Sequence, residues 1–219
     1  MIRDRLKSAA RRAAVRFFGM EFDVEERDPA GRGRPDPSRY DPSKIPPLVD
    51  GDGDTPGPNH KTDIGRTWVS AQLAAGSAPF LIDVRPPAEV VAGIIPGVHL
   101  WPALHVQART GELPAAGDRI VVVCQTGEHG SAEAAAWLRE NGWPMARRLR
   151  GGMAEWIEHG ERVAVPAPAA GGRLSPGHPV RTPEGREGWV LEPAGPGAVR
   201  VWHADGSASG PWSEDALRA

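Results

Sequence analysis

A single cysteine, Cys124, stands where a β-branched run meets a glycine-containing turn. The stretch VVVCQTGEHGSAEAAAWL places it directly after three valines and ahead of an alanine-rich segment with helical composition. A cysteine thiolate is a nucleophile, and the N–H groups of a short turn before a helix N-terminus stabilise negative charge. This order of residue types therefore indicates nucleophilic chemistry at Cys124; the alternative is an inert cysteine packed at a strand end.

The turn after the cysteine supplies the other candidate site residues. Its two glycines allow successive N–H groups to point inward, and the following helix is expected to begin near Ser131. We therefore predict an anion cradle around Cys124, made of Gln125, Thr126, Gly127, Glu128, His129, Gly130 and Ser131.

Composition excludes several classes of protein. With 1 cysteine among 219 residues, the chain has no intramolecular disulfide framework, no Cys-x-x-Cys pair and no cysteine-rich zinc site. A net charge of −2 predicts no attraction of the whole chain to nucleic acid. No stretch is apolar enough to span a bilayer and no secretory signal is evident, so we expect a cytoplasmic, soluble protein.

The first 62 residues are expected to lie outside the folded core. Residues 1–20 predict an amphipathic helix with a basic face, which could contact an anionic membrane surface or a partner, or pack on the protein itself. Residues 21–62 are rich in Pro, Gly and Asp and predict a disordered linker.

Residues 63–162 predict an α/β domain. Short apolar runs alternate with helical patterns, which indicates βαβ units and a parallel sheet covered by helices on both faces. The run IVVV before Cys124 predicts a central strand, and Thr67 or Ser70 is the expected cap of the first helix. In such a sheet, ligands bind beyond the carboxyl ends of the strands, where this pattern places Cys124.

The remaining residues have a different pattern. Residues 163–173 predict a linker, and residues 174–219 alternate apolar and polar side chains between turns, which predicts a small SH3-like β-barrel. Its tryptophans, Trp189, Trp202 and Trp212, are expected to form the barrel core, with a partner-binding surface as the alternative.

Three motifs between residues 64 and 160 resemble those of the rhodanese-like domain family, in the family's order. LIDVRPPAEVVAGIIPGVHLWP is similar to the pattern D-x-R-x-x-x-E-aromatic-x-x-G-H-I-P-G-A, the strand-Cys-loop-helix unit follows, and LRGGMAEW is similar to L-x-G-G-x-x-x-W. The matching positions are Asp83, Arg85, Glu89, Gly93, Ile95, Pro96 and Gly97, and then Leu149, Gly151, Gly152 and Trp156.

The resemblance implies a fold and an activity. The fold would be a five-stranded parallel core, and Cys124 would accept sulfane sulfur as a persulfide from a donor such as thiosulfate or another persulfide. It would then pass the sulfur to a thiol or to cyanide. No metal or organic cofactor is implied, and Asp83 and Arg85 would support the rim of the site by hydrogen bonding.

The loop departs from the family pattern. A typical single-domain member reads C-x-x-G-x-R-S, with a helix leucine thirteen positions after the cysteine, whereas Leu138 lies fourteen positions after Cys124. Family phosphatases and arsenate reductases have the longer loop but use an arginine at its end, where this chain has His129 and Gly130. We therefore do not expect either activity; an imidazolium on His129 would stabilise the thiolate, or His129 faces solvent.

Two functions remain open from the sequence. The first is a rhodanese-type sulfurtransferase acting through Cys124. The second is a non-catalytic rhodanese-like interaction or regulatory module, with a protein partner bound through the C-terminal barrel or the N-terminal helix.

Overall fold

The structure, a computed structural model, describes residues 56–168 and 170–218. The predicted N-terminal helix and the predicted linker as far as residue 55 lie outside these residues. The last part of that linker, residues 56–62, contacts the α/β domain: the N–H of Gly65 donates to the carbonyl of Pro56, at 2.7 Å. The side chain of Arg119 also donates to the carbonyl of Pro58.

Five parallel strands form the central sheet of the α/β domain. The strands are β1 Asp63–Ile64, β2 Phe80–Asp83, β3 His99–Leu100, β4 Ile120–Val123 and β5 Ala146–Leu149. Their spatial order is β1-β5-β4-β2-β3, and every neighbouring pair is parallel. All four residues of β4 are buried, so this strand is central, as the sequence predicts.

Helices cover both faces of this sheet because each face is apolar. The α-helices are α1 Arg66–Ala74, α2 Pro87–Val90, α3 His129–Glu140 and α4 Gly152–Glu158, with 3₁₀ turns at Ala103–His105 and Gln107–Glu112. The predicted cap of α1 is wrong: its N-cap is Gly65, and Ser70 lies inside the helix, where its hydroxyl donates to Glu161. The helix after the loop begins at His129, two residues before the predicted start.

Each face of the sheet contributes to a separate apolar cluster. One cluster joins Ile120 and Val122 of β4 to Leu138 of α3, and Cys124 packs against it. The other joins Val121 of β4 to α1 and α4. Side chains alternate across a strand, so Cys124 lies on the α3 face of the sheet.

Residues 174–218 contain a second sheet, which is antiparallel. Its strands β6 Pro179–Arg181, β7 Glu187–Pro193, β8 Ala198–Trp202 and β9 Ala208–Ser213 pair in sequential order. A bridge also joins Arg181 of β6 to Arg218, beyond the 3₁₀ turn Glu214–Ala216. The closed SH3-like barrel stays a prediction.

The three tryptophans of this second sheet do not share one core. Trp212 packs against the buried cluster of Val180, Val190, Val199 and Val201, as the sequence predicts. Trp189 and Trp202 instead face each other as a cross-strand pair, with ring centroids 5.8 Å apart, and lie outside that cluster. The core prediction is therefore wrong for these two residues. Each lies next to a buried valine in its strand, so its side chain points to the opposite face of the sheet.

The two sheets contact each other through polar and apolar groups. The guanidinium of Arg109 donates to Glu192 of β7 and lies over the ring of Trp101, 5.5 Å from its centroid. Near α2, a Cβ added to Gly177 would lie 2.5 Å from the carbonyl oxygen of Pro87 and 2.6 Å from the side chain of Val91. The chain therefore comes too close at this point for any larger residue.

The free energy of unfolding is expected to fall in acid because of His105, which lies at this contact. Burial lowers the pKa of His105 below 6.5, although a bond with the backbone of Gly206 and the charge of Glu192 act to raise it; Arg109 and Arg200 act to lower it. The unfolded chain therefore binds a proton below pH 6.5 that the folded chain resists, and the free energy of unfolding falls as the pH drops below that value.

Urea denaturation at pH about 7.5 and about 5.5 measures this loss. His105→Gln should reduce it, whereas the same change at His159, an exposed histidine at the end of α4, should leave it as it is. An equal loss in wild-type and His105→Gln protein would contradict the assignment.

Within residues 56–168 and 170–218, no helix is both long and apolar enough to cross a membrane.

Candidate active site

Cys124 follows the last residue of the central strand β4 at the carboxyl edge of the sheet. β2 pairs with β4 in parallel, so that Asp83 lies level with Val123, one residue before the cysteine. The cysteine is half-buried, and its Sγ lies 3.0 Å from Oγ of Ser131, which is fully buried in the first turn of α3. A hydroxyl at this distance can donate to a sulfur anion.

In the loop that begins at Cys124, two backbone carbonyls are hydrogen-bonded, whereas the backbone N–H groups are not. The carbonyls of Cys124 and Gln125 accept from the N–H groups of Met153 and Ala154 at the start of α4, each at 2.9 Å. In the described part of the chain, the N–H groups of residues 125–130 donate to no protein acceptor. Unpaired N–H groups in a short loop form a concavity that attracts an anion, and these surround the position predicted for the cradle.

Two glycines allow the loop and the β5–α4 turn to touch. Gly127 and Gly152 have φ of 76° and 56°, in the left-handed region that favours glycine. A Cβ on Gly127 would lie 2.5 Å from the carbonyl oxygen of Leu149, and one on Gly152 would lie 2.3 Å from that of Cys124. The two turns therefore pack backbone against backbone.

Arg85 joins the rim of the site to the loop. Its guanidinium donates to Asp83 at 2.7 Å and to the carbonyl of Gly93 at 2.8 Å, and both charged side chains are buried. A third bond runs to Oε1 of Gln125 at 3.3 Å. A buried, fully paired arginine fixes the geometry of the chain around it, so these contacts are those of a support and not of a proton donor.

The end of the loop carries no cation within hydrogen-bonding reach of the cysteine. His129 is exposed, and its side chain makes no hydrogen bond or ion pair with the described residues. Gly130 has no side chain to extend into the cradle, and a Cβ added there would make an ordinary contact with Val84 at 3.6 Å. Of the two sequence-based alternatives for His129, the geometry favours the solvent-facing one.

A second arginine near the cradle, Arg148, comes from β5, and its position there was not predicted from the sequence. Nε of Arg148 lies 2.5 Å from Oδ1 of Asp63. Burial acts to raise the pKa of Asp63, but the hydrogen bond and charge of Arg148 outweigh it, and the pKa lies below 3.8. The bond to Asp63 raises the pKa of Arg148, and the charges of Glu128 and Cys124 add to that rise. The basic run ARRLR is the sequence feature that could have indicated this positive charge.

If Cys124 takes up sulfur as the family resemblance implies, replacing Ser131 with alanine should slow that uptake about 10-fold, because a hydrogen bond to a charged group contributes about 1.5 kcal/mol. The rate of loading from thiosulfate, followed by mass spectrometry, measures the effect. Ser70→Ala is the matched control, since it removes a serine bond to Glu161 far along the chain from the loop. Equal loading rates in the two variants would show that the Ser131 hydroxyl does not act on the sulfur.

Known proteins similar to this chain were found by sequence and by structure. A family model described as a rhodanese-like domain matches residues 66–159. A protein from Allochromatium vinosum named sulfurtransferase is 34% identical over 104 residues, which are 48% of this chain and 95% of that protein.

Two solved structures are also similar. A human single-domain sulfurtransferase is 29% identical with a TM-score of 0.39, and the match covers 45% of this chain and 96% of that chain. A rhodanese-related protein from Thermoplasma volcanium is 25% identical with a TM-score of 0.42, covering 47% of this chain and 97% of that chain.

Proposed function

The chain belongs to the rhodanese-like domain family, as its motifs predicted, and on this premise we propose that it is a sulfurtransferase that carries sulfane sulfur on Cys124. The observation that carries the proposal is the position of the thiol: it directly follows a buried strand, and the N–H groups of residues 125–130 have no acceptor in the described part of the chain. Such a cradle stabilises a negative sulfur without any cofactor.

The first half-reaction loads the cysteine. The thiolate of Cys124 attacks the outer sulfur of thiosulfate, a new S–S bond forms, and sulfite leaves with the electron pair of the bond that breaks. Charge thus moves onto the transferred sulfur, where the loop N–H groups and the hydroxyl of Ser131 stabilise it.

The second half-reaction releases the sulfur. A thiolate acceptor attacks the outer sulfur of the persulfide, and Cys124 leaves as a thiolate. Loading and release leave the enzyme unchanged, so no external oxidant or reductant takes part.

Phosphoryl or arsenate chemistry has less support at this loop. Oxyanion transfer needs a bidentate cation on the transferring group, which arginine provides best. His129 is exposed and Gly130 has no side chain, so the loop offers no such contact.

Mass spectrometry of the intact protein tests the proposal. After incubation with thiosulfate or glutathione persulfide and removal of excess donor, the chain should gain about 32 Da, and cyanide should remove that mass as thiocyanate. No gain with any sulfane donor would refute the transfer function.

A second function rests on the exposed polar edge and paired tryptophans of the C-terminal sheet. Trp189 and Trp202 pack against each other outside the valine cluster of that sheet and are half-buried, so only part of each ring could contact a protein partner. Under this alternative the chain is an interaction module. Removal of residues 174–219 would then abolish binding of a partner, and the intact protein would gain no sulfur from a donor.

A further inference from the structure

A cavity of about 490 Å³ lies directly beside the cradle. Thr126, Gly127 and Glu128 of the loop line one side of it, and Arg148 and Arg150 from the end of β5 line another. The lining is mainly polar and charged, so the cavity suits a charged ligand and not an apolar one.

The sheet register places these arginines next to the nucleophile. Val122 of β4 pairs with Arg148 of β5 in parallel, so continuing the register by two residues brings Arg150 level with Cys124. The N–H of Arg150 donates to the carbonyl of Ile64 at 3.0 Å, which holds its backbone in line with β1. Because side chains alternate and neighbouring strands lie about 5 Å apart, Arg148, Arg150 and Cys124 belong to the same face of the sheet.

The cavity presents both signs of charge. Arg148 is held by Asp63, whereas Glu128 and Glu155 also line the cavity. The carboxylate of Glu155 folds over the β5–α4 turn, since a Cβ on Gly151 would lie 2.0 Å from its carbon and 2.3 Å from Oε2. An inorganic anion would be repelled by the carboxylates and a simple cation by the arginines, so a zwitterion matches this arrangement better than either.

We propose that this cavity binds the amino-acid head group of the thiol that takes sulfur from Cys124, with Arg150 and Arg148 facing its carboxylate and Glu155 facing its ammonium group. The inference rests on the proposed sulfur transfer and adds the substrate class of its second half. The acceptor thiolate attacks the outer sulfur of the Cys124 persulfide, the persulfide S–S bond breaks, and the acceptor leaves as its own persulfide.

Four small thiols with different head-group charges test the proposal. L-cysteine carries both charges, N-acetylcysteine only the carboxylate, cysteine methyl ester only the ammonium group, and 2-mercaptoethanol neither. Each is mixed with protein already loaded with sulfur, so that the donor step does not enter the measured rate constant. The ratio of variant to wild-type rate for each thiol removes differences in intrinsic thiol reactivity.

Arg150→Gln should lower the rate about 10-fold for cysteine and N-acetylcysteine and leave 2-mercaptoethanol unchanged. Glu155→Gln should lower it for cysteine and the methyl ester. Arg186→Gln, on the C-terminal sheet, is the matched control and should change none of the four. An unchanged 2-mercaptoethanol rate also shows that each variant is folded.

The outcomes separate the two proposals. If wild-type protein gains no sulfur from any donor, the transfer function itself fails. If it loads and transfers, but each variant changes all four thiols by the same factor or none of them, the transfer function stands and the head-group site is refuted.

Discussion

Replacing Cys124 with serine is expected to abolish sulfur transfer. An alcohol oxygen does not form a persulfide, so the variant should gain no sulfur mass, and thiocyanate formation from thiosulfate and cyanide should fall by more than about 10³-fold. Cys124 is the only cysteine among 219 residues, so no other thiol in the chain can take over.

The fold should survive this change, which makes the test specific. Serine is close to cysteine in size and keeps a polar contact with Oγ of Ser131, so we expect the free energy of unfolding to change by less than about 1 kcal/mol. Transfer that persists in a folded Cys124→Ser protein, at a rate near that of the wild type, would move the chemistry away from the cradle.

Replacing Gly152 with alanine is expected to disrupt the cradle, because Gly152 lies in the β5–α4 turn that packs against the loop. Its φ of 56° costs a non-glycine residue about 1 kcal/mol. The added Cβ would also lie 2.3 Å from the carbonyl oxygen of Cys124 and 2.5 Å from the N of Gly127. Backbone atoms on both sides must move, which adds about 2 kcal/mol. We expect a loss of about 3 kcal/mol in stability, together with most of the sulfur transfer.

Gly76→Ala is the matched control for this variant. Gly76 has a similar φ of 71° at the end of α1, but an added Cβ would meet no atom within 4 Å. The control should therefore lose only about 1 kcal/mol and keep full activity. Chemical denaturation and the thiocyanate assay compare the two proteins; equal losses would mean that the contact with the loop has no role.

The position of Cys124 could be predicted because it follows from local patterns. The continuous apolar run IVVV requires a strand buried on both faces, and alternation with helices requires parallel neighbours, which places the residue after the run at the carboxyl edge. The family resemblance then supplied the number of strands.

The helix ends and the charges around the cradle depend on tertiary contacts and were not predicted. The cap of α1 falls on Gly65, whose N–H bonds to Pro56, a contact that no local propensity encodes. Arg148 lies beside the cradle because β5 is the neighbour of β4 although the two are joined through α3. The sequence ARRLR alone predicts only a strand with basic residues. The order of the strands in the sheet decides which residues lie next to those arginines.

The backbone bonds from Met153 and Ala154 to the loop carbonyls have a consequence for protein engineering. A loop of different length or sequence, grafted alone between β4 and α3, would lose its two acceptor contacts and overlap the β5–α4 turn near Gly127. Residues 124–131 and 149–154 must therefore be transplanted together as a single cassette when the substrate range of this scaffold is redesigned.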